Sequence, residues 1–175
     1  DAKPFHRKPC PVPHVYLETL RKEVDRLVKI GVLKHQPSSE WALPTFIIPK
    51  KNRTVLRFIS NFREVNKCIV RTPYPIPKIA SALQEMQGFT YATALDLNMG
   101  YYTIRLDPDA QRICTIILPW CKYSYMRLPM GISGSPDIFQ ERMTNLMQTL
   151  DYVGVYIDDL LTITNGTYED HLKKL

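Results

Sequence analysis

Val153-Gly154-Val155-Tyr156-Ile157-Asp158-Asp159-Leu160-Leu161 is an apolar run broken near its centre by two adjacent aspartates. Its flanks have the β-branched and aromatic composition that suits a half-buried pleated surface. The run therefore reads as a hairpin, Tyr152 to Ile157 and Leu160 to Thr164, with Asp158-Asp159 at the tip. Two carboxylates in such a setting cost on the order of several kcal/mol unless they are hydrated, paired or bound to a cation. Strand alternation puts Tyr156 and Asp158 on one face and turns Ile157 toward the core. Two readings stand: an exposed turn, where aspartate is common, or a cation site on the open surface of a sheet.

A second carboxylate, Asp96, ends the apolar strand Tyr91-Ala92-Thr93-Ala94-Leu95. It too fits either a strand-end turn or a ligand. If the two strands are neighbours, Asp96, Asp158 and Asp159 form a hard, oxygen-rich site. Magnesium suits it, because that ion takes few carboxylates and completes its shell with water and phosphate oxygens. Two such ions, roughly 3.5–4 Å apart, activate an attacking hydroxyl and neutralise a leaving oxygen in phosphoryl transfer. A triphosphate substrate also needs cations. Lys50, Lys51, Arg53 and Arg57 offer them, although a solvated basic loop has the same composition.

Working outward, the first fourteen residues, with Pro4, Pro9, Pro11 and Pro13, run extended. Leu17, Leu20, Val24, Leu27 and Val28 then trace one buried helical stripe that Gly31 ends. Phe46 to Ile48 and Val55 to Ile59 are strands around a basic turn, and Thr72 to Pro77 is extended. A short helix carries Ile79, Leu83 and Met86 up to Gly88. Another apolar stretch runs from Tyr101 to Leu106, and Ile113 to Leu118 with Tyr123 to Leu128 form a hairpin. Ser135-Pro136-Asp137 opens a helix, with a capping hydroxyl, proline at the first position and an acid in the first turn. It buries Phe139, Met143, Leu146, Met147 and Leu150. Strands and helices mix without a repeated βαβ unit, which is an α+β pattern.

Bulk properties agree with a chemistry of phosphates. The 175 residues are 45% apolar and 23% charged, enough for a core and unlike a disordered chain, and the net charge of +6 favours a polyanionic partner. Four cysteines show no metal-ligand spacing and read as free thiols. No apolar run is long enough to span a bilayer and no signal peptide opens the chain, so no membrane partner is expected and the location reads as intracellular, a cytoplasmic particle or the nucleus.

Tyr156-Ile157-Asp158-Asp159 resembles the Y-x-D-D box of reverse transcriptases. Leu95-Asp96-Leu97 with Gly100-Tyr101, Phe62-Arg63-Glu64-Val65-Asn66-Lys67, Leu128-Pro129-Met130-Gly131, and Ser135-Pro136 before Phe139-Gln140 fall in the family's order and spacing. Glu40-Trp41-Ala42 and Tyr74-Pro75-Ile76-Pro77 look like the gypsy class of long-terminal-repeat retrotransposons. The resemblance implies the fingers and palm of a right-hand RNA-directed DNA polymerase, with a mainly antiparallel palm sheet backed by helices and no thumb. Fingers would be residues 1–70 and 104–134, palm 71–103 and 135–175. Carried over by position, Asp96, Asp158 and Asp159 are catalytic. They are also metal ligands, with the Leu97 backbone carbonyl, for two Mg2+ ions that Mn2+ can replace. Lys50, Arg57, Tyr101 and Met130 bind the nucleotide, Tyr101 by excluding a ribose 2′-hydroxyl. Tyr156, Arg63, Pro129 and Gly131 meet primer or template. Implied partners are RNA or DNA template with primer, dNTPs, and thumb, ribonuclease H and integrase domains of a polyprotein.

Three positions depart from the family pattern. Asn61 stands where aspartate is usual, just before Phe62-Arg63, and removes an ion pair with no evident substitute; Met130 stands where retroviral relatives carry glutamine; Gly134 replaces a commoner asparagine. Two other classes remain open, a catalytically decayed nucleic-acid-binding module and a purely structural piece of a polyprotein.

Overall fold

The computed structural model describes residues 3–49, 56–77 and 88–175, and its contacts divide into two compact units. The first comprises residues 1–70 and 101–133, the second 71–100 and 134–175. The helix expected at Ile79 to Met86 lies outside the described residues.

In the first unit, helix α1 spans His14–Lys29 and buries Leu20, Val24 and Leu27. Pro13 precedes it, one residue earlier than the extended segment was expected to end. Gly31, at φ +75°, closes it: the Gly31 N–H returns to the Val28 carbonyl and the Val32 N–H to the Leu27 carbonyl. This double return satisfies end carbonyls and brings apolar Val32 against Leu27. Strands β1 (Leu33–His35), β2 (Leu43–Pro49) and β3 (Leu56–Ser60) follow, then a single turn, α2 (Arg63–Asn66). The chain re-enters this unit through a 3-10 turn, Gly100–Thr103, and helix α3, Pro108–Ile113. The hairpin β5 (Thr115–Ile117) and β6 (Lys122–Tyr125) completes a sheet of order β1-β6-β5-β2-β3, in which only β2 and β5 run parallel. Inside it, Ser60 bonds Tyr125 at 2.9 Å and Thr115 bonds Ser124 at 2.7 Å, so buried hydroxyls satisfy one another.

The second unit holds β4 (Tyr91–Asp96), helix α4 (Ser135–Met147), β7 (Val153–Tyr156), β8 (Asp159–Thr164) and helix α5 (Tyr168–Lys173). Its three strands are all antiparallel, in the order β4-β8-β7. Register sorts the side chains. Val155, Leu160 and Leu95 fall on one face with Val153, Thr162 and Thr93. Both helices cover that face: α4 packs on β7, and buried His171 of α5 bonds Thr164 and Thr93, each at 2.8 Å. The opposite face carries Ala92, Ala94, Asp96, Asp159, Gly154 and Tyr156, and none of these is buried.

Several expectations are corrected. The apolar stretch from Tyr101 to Leu106 opens in the 3-10 turn. Helix α3 was not anticipated, although Asp107-Pro108-Asp109 carries the same cap-proline-acid signal as residues 135–137, and Asp107 does accept from the Asp109 N–H. Helix α4 starts at Ser135 with Gly134 at its cap, and no side chain caps it. Asp137 instead meets Arg71 in a forked ion pair at 2.7 and 3.0 Å and accepts the Tyr74 N–H. Leu146 is 67% exposed, so it lies off the buried stripe. Helix α5 was also missed, despite a Thr167–Asp170 capping box.

Candidate active site

Asp96 ends β4 directly opposite Asp159, the first residue of β8, and Tyr156 ends β7 opposite the same Asp159. Directly opposed residues share a face, so Asp96, Asp159 and Tyr156 stand together on the face opposite the two described helices. Ala92, Ala94 and Gly154 beside them keep that surface low. Asp158 does not belong to either strand. It forms, with Ile157, the two-residue turn between β7 and β8, and the expected sharing of a face by Tyr156 and Asp158 through alternation does not apply. The ladder extends one bond further: the Leu97 N–H donates to the Asp158 carbonyl at 2.9 Å, holding the turn beside the end of β4. The Leu97 carbonyl accepts from the Gly100 N–H at 3.0 Å, which leaves it one lone pair.

The turn is strained. Ile157 has φ +54°, a left-handed conformation that costs a β-branched residue on the order of 1–3 kcal/mol. Gln140 of α4 holds it there: its Oε1 accepts the Ile157 N–H at 2.7 Å, and its Nε2 donates to the Val155 carbonyl at 3.2 Å. Gln140 is 1% exposed. No role was read for it from sequence, yet the signal was present. It shares the buried stripe of α4 with Phe139 and Met143, where an amide must find partners.

After β4 the chain reverses at Met99, φ +60°, not at Gly100. Gly100 is needed for space instead, since a Cβ there would lie 2.8 Å from Phe139.

Among the described residues no group of three or more His, Cys, Asp or Glu forms a ready-made cation cage. The donor set of exposed carboxylates at adjoining strand ends nevertheless fits magnesium, which needs one or two carboxylates and takes its other ligands from water and substrate phosphates.

The remaining candidates lie in the first unit. Asn61 does not leave Arg63 unsupported: its Oδ1 accepts from the Arg63 Nε at 3.0 Å and from the backbone N–H at 3.2 Å. The substitution orients the guanidinium without neutralising it. Asn66 ties the Phe62–Lys67 segment to the Met130 loop, donating to the Gly131 carbonyl and accepting from the Ser133 N–H, both at 2.9 Å. Gly131, at φ +98°, allows that close approach. Pro129 is buried and Met130 is 54% exposed. Arg63 and Gly131 line a pocket of about 350 Å3 with Phe46, Ile59, Phe62 and Asn66. Tyr101 is 8% exposed. Arg57 lies on β3 opposite Ile48, while Lys50, Lys51 and Arg53 fall outside the described residues.

Residues 48–175 match the family model for reverse transcriptase (RNA-dependent DNA polymerase), and the chain belongs to that family. It is a domain of the kind found in Pol polyproteins of long-terminal-repeat retrotransposons and retroviruses. It is 29% identical to the retrovirus-related Pol polyprotein from transposon 412 of Drosophila melanogaster, over 99% of this chain and 14% of that one. It is 31% identical to an enzymatic polyprotein of Cestrum yellow leaf curling virus, over 88% of this chain and 25% of that one. The native protease-reverse transcriptase of prototype foamy virus superposes with a TM-score of 0.88 at 27% identity, covering 99% of this chain and 23% of that one. A foamy viral protease-reverse transcriptase in complex with an RNA/DNA hybrid gives a TM-score of 0.88 at 24% identity, over 98% of this chain and 23% of that one. The chain thus spans a quarter or less of each of these relatives. Among the described residues no helix is long and apolar enough to cross a membrane.

Proposed function

We propose that the chain is the fingers and palm of a gypsy-type RNA-directed DNA polymerase that extends a primer with dNTPs on an RNA or DNA template. Residues 1–70 and 104–134 are the fingers and 71–103 and 135–175 the palm, a division that differs from the two compact units by a few residues at each junction. What carries this reading is the cross-strand pair of exposed carboxylates Asp96–Asp159, with Asp158 in the adjoining turn. Asp96 and Asp158, helped by Asp159 and the Leu97 carbonyl, hold two divalent ions. Two ions held there would supply a lowered pKa for the primer hydroxyl and charge neutralisation for the leaving pyrophosphate. Lys50 and Arg57 hold the triphosphate, Met130 touches the incoming nucleotide, and Tyr156 lies by the primer end. Arg63, Pro129 and Gly131 face the template. The RNA/DNA hybrid bound by the foamy viral protein of the same fold makes a template–primer duplex the natural ligand. Other domains of a parent polyprotein complete the grip.

The test is primer extension by the full polymerase with Asp96→Asn or Asp158→Asn. Each should abolish nucleotide addition while template binding persists, because binding rests on cation–phosphate contacts. Extension retained by Asp158→Asn would remove the catalytic assignment. No magnesium-dependent extension by the wild-type chain, with binding intact, would favour the decayed module.

A further inference from the structure

Asn165-Gly166 links the end of β8 at Thr164 to the cap of α5 at Thr167, and Asn165 is the only asparagine of the chain followed by glycine. Both residues are exposed and lie in a bend. Among the described residues, neither the Asn165 carboxamide nor the Gly166 N–H has a hydrogen-bond partner. Other asparagines are held: Asn61 and Asn66 commit their side chains to Arg63, Gly131 and Ser133, and Asn145 lies on α4. An unheld carboxamide beside an open amide nitrogen is chemically unstable. Asparagine is among the thermolabile residues, and glycine has no Cβ to block the approach of its nitrogen.

The link is short and fixed at both ends. Thr164 bonds Nδ1 of buried His171 at 2.8 Å, and His171 Nε2 meets Thr93 of β4 at the same distance. At the other end the capping box holds Thr167. The Asp170 N–H donates to Thr167 Oγ1 at 3.2 Å, and Asp170 Oδ2 accepts from the Thr167 N–H at 3.3 Å and its hydroxyl at 2.8 Å. Asp170 also lies against Gly166, 3.1 Å from where a Cβ would stand, so the link has little slack.

We propose that Asn165-Gly166 is a site of spontaneous covalent modification whose product loosens α5 from β4 and β8, the strands that carry Asp96 and Asp159. The Gly166 nitrogen bonds to Asn165 Cγ, the Cγ–Nδ2 bond breaks, and Nδ2 leaves as ammonia with the Gly166 proton. Water then opens the cyclic imide at one carbonyl or the other, giving aspartate or isoaspartate. The isoaspartyl form adds one carbon to the main chain, about 1.5 Å, inside the link. Either form adds a carboxylate close to Asp170, whose own carboxylate serves the cap. The displacement falls on the Thr167–Asp170 box and on the His171 bonds, which together hold α5 to the sheet.

The experiment is ageing of the full chain in mildly alkaline buffer, followed by fragmentation mass spectrometry of the tryptic peptide 143–173. Asn165 should gain the mass difference between hydroxyl and amino, faster than at neutral pH and with isoaspartate among the products. Asn145, in the same peptide but held in α4, is the internal control and should stay unconverted. Hydrogen exchange of the α5 amides should quicken in aged wild type and not in equally aged Asn165→Ser, which cannot form the imide. If Asn165→Ser itself disturbs the link, Asn165→Gln, whose longer side chain closes the ring far more slowly, carries the same comparison. A synthetic peptide of residues 161–170 sets the rate without the fold. Conversion of that peptide while Asn165 stays intact in the folded chain would overturn the proposal. Conversion with α5 exchange unchanged would overturn the coupling to the sheet. No catalysis is needed, so this assay and the Asp158→Asn extension assay can fail independently.

Discussion

Gln140 and Ile157 are joined by a 2.7 Å hydrogen bond from the backbone N–H of Ile157 to the Gln140 side-chain oxygen. The bond fastens the buried side of α4 to the strained turn that carries Asp158. The same amide donates to Val155 and to Thr144, each at 3.2 Å, so Gln140 is committed on both ends. On the proposed reading, the carboxylate that holds the cation is thus positioned by a buried amide on the neighbouring helix.

Gln140→Leu should cost about 1–3 kcal/mol, since the Ile157 N–H and the Val155 carbonyl lose their partner. It should also lower kcat on the order of 100-fold, as a small misplacement of a reacting group does, with KM for the nucleotide much less affected. Thermal unfolding and single-nucleotide addition measure the two. An unchanged kcat in a destabilised variant would show that Gln140 only packs.

Asp137 predicts an acid sensitivity. The Arg71 fork, chiefly, and the Tyr74 N–H hold its carboxyl below the usual value of 3.8. A depressed folded-state value contributes stability that is present above 3.8 and is lost as pH falls through the lower folded value. Asp137→Asn should therefore lower the urea midpoint at neutral pH and bring variant and wild type together in acid. A difference independent of pH would mean that the ion pair is not the source.

The strands were legible because apolar alternation needs only a period of two, and β2 to β8 largely fall where that pattern put them. The tip of the β7–β8 hairpin was misplaced by one residue. Nothing local to Tyr156-Ile157-Asp158-Asp159 reveals that Ile157 takes a positive φ, because the turn is imposed by Gln140, seventeen positions earlier. The Arg71–Asp137 pair spans 66 positions and was invisible for the same reason. Helices α3 and α5 were missed for a different one: they are short, and their caps were the only signal.

Cys114 predicts the opposite pH limit. It is 5% exposed, and burial raises its thiol from 9.0 to about 12. A raised value means that its contribution is whole below about pH 9 and is lost as pH rises toward 12. Over that interval the wild type should lose up to about 1.4 kcal/mol per pH unit more than Cys114→Ala does. In the native protein at pH 8, iodoacetamide should modify exposed Cys68 and spare Cys114. Early alkylation of Cys114 would mean that this core opens readily.

Tyr101 carries the sharpest test of the polymerase reading. The family resemblance assigns its ring to the space a ribose 2′-hydroxyl would need, and rejection by a clash requires only bulk. Tyr101 is also 8% exposed, so Tyr101→Ala removes packing and should lower stability by about 3 kcal/mol or more. Total activity therefore cannot distinguish a gate from a core aromatic. The ratio of ribonucleotide to deoxynucleotide incorporation can, because unfolded enzyme lowers both equally. Tyr101→Ala should raise that ratio by one to a few orders of magnitude, about 1.4 kcal/mol per tenfold. Tyr101→Phe keeps the ring and should leave it unchanged. Tyr102 makes a control if its ring is kept, since it stacks on Tyr125 at 6.3 Å. Tyr102→Phe should leave the ratio alone. An unchanged ratio in Tyr101→Ala, measured on single-nucleotide addition at saturating template, would remove the gate and leave Tyr101 as a packing residue.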